Sequence, residues 1–279
     1  MSKKPQHSRV EPKDLLDSVL LAARAAGDLL LERFGKSLDV GYKSRPADLV
    51  TDADRAAEDA VSQIVTRRHP DHSFLAEEGT LREGSLYRWV VDPLDGTVNY
   101  AHGIPHWCVS IAVEDEQGPV VGVVHDPMRQ ETFVATRGGG ATLMGAPLAN
   151  GSTRPRTDLR VTETVDLADA VMATGFAYDP DLRVENLSYL DRMLLRIRGM
   201  RRFGSAALDL AWVAAGRFDG YWEIGLERWD IAAGVLLVRE AGGMATGFEP
   251  GEDPLATGRI VAGGRSVHMT CASIVTGDD

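Results

Sequence analysis

Cysteine is almost absent: two occur in 279 residues. Cys108 and Cys271 lie far apart, in apolar or mixed surroundings and without Cys-x-x-Cys spacing. They read as reduced thiols of a cytoplasmic protein, and no chemistry is assigned to them. Histidines do not cluster, so a zinc site has no ligands; His102, His106 and His125 read as packing or surface residues. No Gly-x-Ser-x-Gly elbow is present, which removes a serine hydrolase. Gly138-Gly139-Gly140 lacks the lysine and hydroxyl of a phosphate-cradling loop and reads as a turn. Nothing approaches an apolar membrane span, and the polar, basic segment from Met1 to Lys13 is followed by a helix that Arg24 and Asp28 interrupt. Positive charge is also short. The net charge of -11 argues against a nucleic-acid footprint. Arg196, Arg198, Arg201 and Arg202 are the best local basic group, although arginines near a helix end also serve as a solvated face.

What is present describes an ordinary globular chain, with 44% hydrophobic and 25% charged residues. Its length allows one large domain or two interlocked halves. Leu15, Leu16, Val19, Leu20, Ala23, Ala26, Leu29 and Leu30 repeat at helical spacing up to Gly35. A second helix is expected from Thr51, with Ala57, Ala60, Val61, Ile64 and Val65 inward, ending before Pro70. The runs 107–113, 120–125 and 132–135 predict an antiparallel meander. The polar stretch from Ala149 to Asp158 reads as the boundary between halves 1–150 and 151–279. Beyond it we expect a strand over 171–176, helices over 182–197 and 204–215, a strand over 218–224, a helix after Trp229 and a strand over 259–262, a second α/β unit.

The most informative segment is Asp92-Pro93-Leu94-Asp95-Gly96-Thr97, behind Trp89-Val90-Val91. It sets two carboxylates three residues apart at a strand end, with a glycine for the turn and a hydroxyl after it. Carboxylates about 4 Å apart repel by roughly 4 kcal/mol at an effective dielectric near 20, so an ionised cluster needs a cation. An all-oxygen set favours a hard ion, Mg²⁺ where phosphate is also a ligand. The same residues would also make a solvated Asp-Gly turn with a helix cap. Further acids stand in Glu77-Glu78 after Phe74-Leu75-Ala76, in Asp230 at a helix start, and in Asp54. Asp54 falls where a capping box wants an acid, and Asp230 where a helix N-terminus favours one.

Taken in order, these segments resemble the inositol monophosphatase family of Mg²⁺-dependent, lithium-sensitive phosphatases. The resemblance runs from Lys43 to Ala262. It rests on Lys43-x-x-Pro46-Ala47-Asp48-Leu49-Val50-Thr51-x-x-Asp54, Glu77-Glu78-Gly79, the Asp92 loop through Val98-Asn99-Tyr100, Gly204-Ser205-Ala206-Ala207, Tyr221-Trp222-Glu223, and Trp229-Asp230-x-Ala232-Ala233-Gly234. It implies an α/β (α+β) fold, the αβαβα layered sandwich of sugar phosphatases.

The resemblance also implies roles. Glu77, Asp92 and the Leu94 carbonyl would hold one Mg²⁺, and Asp92, Asp95 and Asp230 a second, with a third, weaker ion leaning on Glu77. A metal-activated water near Glu77 and Thr97 would attack phosphorus, Thr97 being oriented by Asp54. Phosphate would meet the backbone near Gly96 and Thr97. Glu223 would accept inositol hydroxyls, with Asp95, Gly204, Ser205 and Ala206 lining the rest of the pocket; a solvated edge-strand acid is the other reading of Glu223. A dehalogenase-type phosphatase wants Asp-x-Asp rather than Asp-x-x-Asp-Gly-Thr.

The expectation is therefore an inositol-1-monophosphatase. Fructose 1,6-bisphosphate, histidinol phosphate and 3′-phosphoadenosine 5′-phosphate are alternative substrates. A protein partner in the transcription machinery, by way of Arg201-Arg202-Phe203, is a second role known among bacterial relatives. The resemblance also implies a homodimer, with the Trp107 and Arg202 regions as contact surfaces.

Overall fold

The computed structural model describes residues 12–36, 40–42, 49–84, 86–145 and 155–277. Motif residues Lys43 to Asp48, and most of the expected boundary after Ala149, lie outside them. The chain runs through α1 (Pro12–Arg33), β1 (Val40–Tyr42), β2 (Leu49–Thr51), α2 (Asp52–Arg68), β3 (Ser73–Ala76), β4 (Leu81–Arg82), β5 (Arg88–Asp95) and α3 (Thr97–Ala101). Strands β6 (Cys108–Asp115), β7 (Gly118–Asp126), β8 (Glu131–Thr136), β9 (Gly140–Met144) and β10 (Thr157–Asp158) follow. Then come β11 (Val171–Thr174), α4 (Pro180–Leu194), β12 (Gly199–Arg201), α5 (Ala206–Ala214), β13 (Gly220–Ile224) and α6 (Arg228–Glu240). The chain closes with β14 (Met244–Thr246), α7 (Pro254–Thr257), β15 (Arg259–Gly263) and α8 (Arg265–Thr276).

Two large sheets organise these elements. The first has the order β10-β9-β8-β7-β6-β5-β3-β4, with β3 and β5 parallel and the expected antiparallel meander over β6, β7 and β8. The second has the order β12-β11-β13-β15-β14, with β11 parallel to both β12 and β13. Helices α1 and α2 cover one face of the first sheet, α5 and α6 fill the space between the sheets, and α4 and α8 close the far face of the second. The result is the helix, sheet, helix, sheet, helix sandwich that the resemblance implies.

The central strands are buried on both faces, which is why they read as continuous apolar runs. Along β6, Val109, Ile111 and Val113 join the core beneath α1 and α2, while Cys108 and Ala112 join the core shared with α5 and α6. Helix α2 starts where the sequence places it, with Thr51 as its cap and Asp54 completing the capping box. Helix α4 begins two residues before the expected Leu182, because Asp179 accepts from the Asp181 and Leu182 N–H groups and Pro180 occupies the first turn. It stops short of Ile197 because β12 needs extended chain to pair with β11.

The surface expectation for Trp107 is corrected. Trp107 is fully buried and packs against Phe34 and Tyr100, with ring centroids 5.5 and 5.0 Å away. Among the described residues no helix is long and apolar enough to cross a membrane.

Helix α6 lies so close to β7 that a Cβ on Gly122 would sit 3.0 Å from the Ala233 carbonyl oxygen and 3.1 Å from its Cα. These are backbone atoms and cannot rotate aside. Gly122→Val should therefore lower stability by about 1–3 kcal/mol, read as a lower denaturant midpoint. An unchanged midpoint would show that α6 does not depend on this close approach.

Candidate active site

Pro93 has no N–H, and the ladder between β5 and β6 breaks there. Asp92 pairs with Ser110 and Asp95 with Cys108, so three steps on β5 match two on β6. The extra residue is a bulge. In a regular strand Asp92 and Asp95 would face opposite sides of the sheet; the bulge turns both toward α5 and α6. Gly96 follows with φ at 94°, a conformation that side-chain-bearing residues avoid, and it caps α3.

Other elements deliver the remaining acids to the same place. Asp95 Oδ2 accepts from the Ser205 hydroxyl at 2.6 Å and the Ala207 N–H at 2.8 Å, at the start of α5. Asp230 stands in the first turn of α6 and accepts from the Glu227 N–H at 2.7 Å. Glu77 follows β3, the parallel neighbour of β5, in a loop that Glu58 of α2 holds by accepting from the Glu78 and Thr80 N–H groups at 2.8 and 3.1 Å. Asp54 does two things at once. Its Oδ2 takes the Thr51 N–H at 2.9 Å as a helix cap, while its Oδ1 lies 3.1 Å from the Thr97 hydroxyl, which also lies 3.0 Å from the Leu94 carbonyl.

These groups surround a cavity of about 560 Å³ at the carboxyl ends of the parallel strand pairs of both sheets. Glu77, Asp92, Leu94, Asp95, Gly96, Thr97, Gly204, Ser205, Ala206, Glu223 and Asp230 all line it. Asp54, alone of the expected site residues, sits behind the wall, fully buried beneath Thr97. Among the described residues, Asp179 and Glu227 add two further acids to the lining, against one arginine, Arg202.

The electrostatics follow from that imbalance. Burial pushes the Asp95 carboxyl up to about 6, with Glu77 adding to the rise and the Ser205 and Ala207 donors opposing it. Asp230 is partly open to the cavity, but its carboxyl is deep enough for burial, then Glu77 and Asp95, to raise it well above the usual range. Burial raises Glu223 to about 7, opposed by Tyr221 and Arg202. An all-oxygen set of acids that raise one another's pKa fits a hard divalent cation. Among the described residues, no three acid, histidine or cysteine side chains stand in ligating geometry as they lie.

Several participants escaped the sequence reading. Cys108 Sγ lies 3.7 Å from both Asp95 Oδ2 and Ser205 Oγ, in the wall behind the acids. Asp209 is buried in α5 with Oδ1 unpartnered, and Arg202, exposed as the sequence suggested, also lines the cavity with its guanidinium 5.6 Å from the Phe176 ring. Asp209, four residues after Ser205 in an otherwise apolar helix, was the one visible signal. His106 and His125 are buried packing residues, held neutral near pKa 4 by desolvation.

The chain matches the inositol monophosphatase family over residues 12–276. It is 41% identical over 274 residues to a protein of Synechocystis sp. named inositol-1-monophosphatase, covering 96% of this chain and 91% of that one. It is 43% identical over 258 residues to a protein of Pseudomonas aeruginosa named Nus factor SuhB, covering 89% and 91%. The solved structure of the inositol monophosphatase from Anabaena superposes with a TM-score of 0.80 at 38% identity, covering 95% and 96%. The chain belongs to the inositol monophosphatase family.

Because Asp54 serves both the α2 cap and the Thr97 hydroxyl, Asp54→Ala should lower stability by about 1–3 kcal/mol, seen in the denaturant midpoint. A midpoint within error of the parent would mean that neither bond matters to folding.

Proposed function

We propose that the chain is a divalent-metal-dependent phosphomonoesterase of the cytoplasm whose preferred substrate is a small polyol phosphate, inositol 1-phosphate above others. The charge balance of the cavity carries this reading. Among the described residues, Glu77, Asp92, Asp95, Asp230, Glu223, Asp179 and Glu227 line the cavity with Arg202 as their one cationic neighbour there, a lining that would repel a phosphomonoester dianion. Glu77, Asp92, the Leu94 carbonyl, Asp95 and Asp230 are the groups that would hold Mg²⁺. Bound there, the cations supply Lewis-acid neutralisation of the phosphoryl oxygens and acidify a water enough to make it a nucleophile.

The chain's own groups then have separable tasks. The Thr97 hydroxyl, placed by Asp54 and the Leu94 carbonyl, orients the attacking water, and Glu77 takes up its proton. The backbone N–H groups at Gly96 and Thr97 steady the phosphoryl group. Water oxygen bonds to phosphorus as the ester P–O bond breaks, and the departing alkoxide leaves as the alcohol once protonated, with no phosphoenzyme formed. Glu223 accepts hydroxyl hydrogen bonds from the polyol at the far end of the cavity. We assign residues 1–150 to a half that carries most of the metal ligands and 151–279 to a half that completes the site. The curated relative of that name supports inositol 1-phosphate. The relative named a Nus factor supports a second role beside turnover, binding a transcription-machinery protein; RNA polymerase co-purifying with an inactive Asp95→Asn chain would bear it out. A homodimer remains part of the proposal, with Trp107 removed from its surface.

Metal dependence is the first test. Exhaustive chelation should abolish phosphatase activity and lower the melting temperature, Mg²⁺ should restore both, and Li⁺ should inhibit where Na⁺ and K⁺ at equal ionic strength do not. Full turnover after EDTA would end the reading. Asp95→Asn, which keeps shape but removes charge, should cost about a hundredfold or more in kcat.

Substrate class is tested separately through Glu223→Gln. The variant should lose roughly tenfold or more in kcat/KM for inositol 1-phosphate, and far less for an aryl phosphate that has no hydroxyls to offer. Equal losses on both would place Glu223 among structural or metal-supporting groups.

A further inference from the structure

We propose that Tyr221 is the positioning residue for Glu223: its buried phenol hydroxyl donates to Glu223 Oε2 and fixes that carboxylate at the polyol end of the cavity. The proposal rests on the reading of Glu223 as the acceptor of substrate hydroxyls.

Tyr221 and Glu223 stand two apart on β13 and so share one face of the sheet. That face looks toward α5 and α6, since Tyr221 belongs to the core between the sheets, whereas Trp222 and Ile224 belong to the core beneath α4 and α8. Tyr221 is fully buried. Packing therefore locks the ring, and the position of its hydroxyl is set by the core rather than by solvent. The hydroxyl donates to Glu223 Oε2, and among the described residues this is the side-chain hydrogen bond recorded for that carboxylate.

Backbone also closes in on the carboxylate. A Cβ on Gly175, in the loop after β11, would lie 2.0 Å from either Glu223 carboxylate oxygen. The carboxylate is thus in contact with a phenol and close to a bare glycine backbone, and both Gly175 and Glu223 line the cavity. The other charged groups that face Glu223 come from separate elements: Arg202 after β12, Asp95 from β5, Asp209 from α5 and Asp230 from α6. Three of these are acids. Asp209 leaves its own Oδ1 unpartnered, and among the described residues α5 makes no hydrogen bond to Glu223. A carboxylate so surrounded keeps its position as an acceptor through the Tyr221 hydroxyl, and a hydrogen bond to a charged acceptor is among the stronger kinds.

If Tyr221 only fills the core, removing its hydroxyl would alter stability and leave substrate preference where it was. The test compares kcat/KM for inositol 1-phosphate with that for p-nitrophenyl phosphate in the Mg²⁺-loaded parent chain, Tyr221→Phe, Glu223→Gln and the double variant. The ratio of the two should fall roughly tenfold in each single variant, with the double variant no worse than Glu223→Gln alone. A ratio unchanged in Tyr221→Phe but lowered in Glu223→Gln overturns the positioning role and leaves the Glu223 reading intact. Losses that multiply in the double variant, or that fall equally on both substrates, overturn it as well. A ratio unmoved in both single variants sinks the Glu223 reading and this inference with it. Should Tyr221→Phe fail to fold, 3-fluorotyrosine placed at 221 keeps the shape and sharpens the donor. The ratio must then shift; if it does not, the role is refuted.

Discussion

One carboxylate oxygen joins the two sheets at the cavity. Asp95 belongs to the edge of the bulge in β5, yet its Oδ2 takes both hydrogen bonds from the start of α5, through the Ser205 hydroxyl and the Ala207 N–H. Taking a carboxylate out of water costs several kcal/mol, and the cost is offset only where donors and positive potential replace the lost hydration. A helix N-terminus supplies both. Because α5 lies between the sheets, the bond also sets the spacing of the layers where the cavity opens. The chain reaches this arrangement through Pro93: without the bulge that follows from its missing N–H, Asp95 would face the other side of the sheet, beneath α1 and α2.

The same economy recurs at the other acids. Asp54 caps α2 while its second oxygen meets Thr97, and Asp230 completes the capping box of α6 while facing the cavity. Like charges drawn together would drift apart if each were held only by a flexible side chain. Here Asp54, Asp95 and Asp230 each accept from a backbone N–H at a helix start, so much of the repulsion is carried by helix ends rather than released by movement. Side chains resting on such donors are not in ligating geometry as they lie. A cation that drew them in would exchange part of each cap for a stronger ionic contact.

This explains both what the sequence disclosed and what it withheld. The spacing of Thr51 and Asp54, the periodicity of α1 and the apolar runs of β5 to β7 were legible because local rules, caps and buried faces wrote them directly. The helix cap and the contact with the Thr97 hydroxyl use two different oxygens of Asp54, so the capping and functional readings that looked like rivals in sequence do not exclude one another. Short strands such as β12 and β14 carry little pattern of their own and form because a neighbour offers a ladder. Helix α8 is different: Val267, Cys271, Ile274 and Val275 do recur at helical spacing, and the signal was overlooked. Cys108 gave no local sign of where it stands, since it meets Ser205 from 97 residues away as well as Asp95 across the bulge, and Tyr221, although its hydroxyl partner Glu223 is only two residues on, shows its site position only once β13 is folded against α5 and β5.

The division of labour between the sheets accounts for the unequal clarity of the two functional questions. The end of the cavity proposed to take the phosphate is built mainly from β5, its loop and the Glu77 loop, where metal chemistry would demand particular carboxylates at particular spacing and so leave a recognisable motif. The end proposed to take the polyol is built from the loop after β11, the residues before α5, and β13, where Gly175, Phe176, Arg202 and Glu223 line the cavity. There the requirement is only a wall of suitable shape with an acceptor or two, which many sequences satisfy. Changes on that second wall can redirect specificity without disturbing the first, because Asp95 and the start of α5 hold the layers in register between them. The motif consequently identifies the reaction more sharply than the substrate, and the residues proposed to decide the substrate are ones whose positions come from packing.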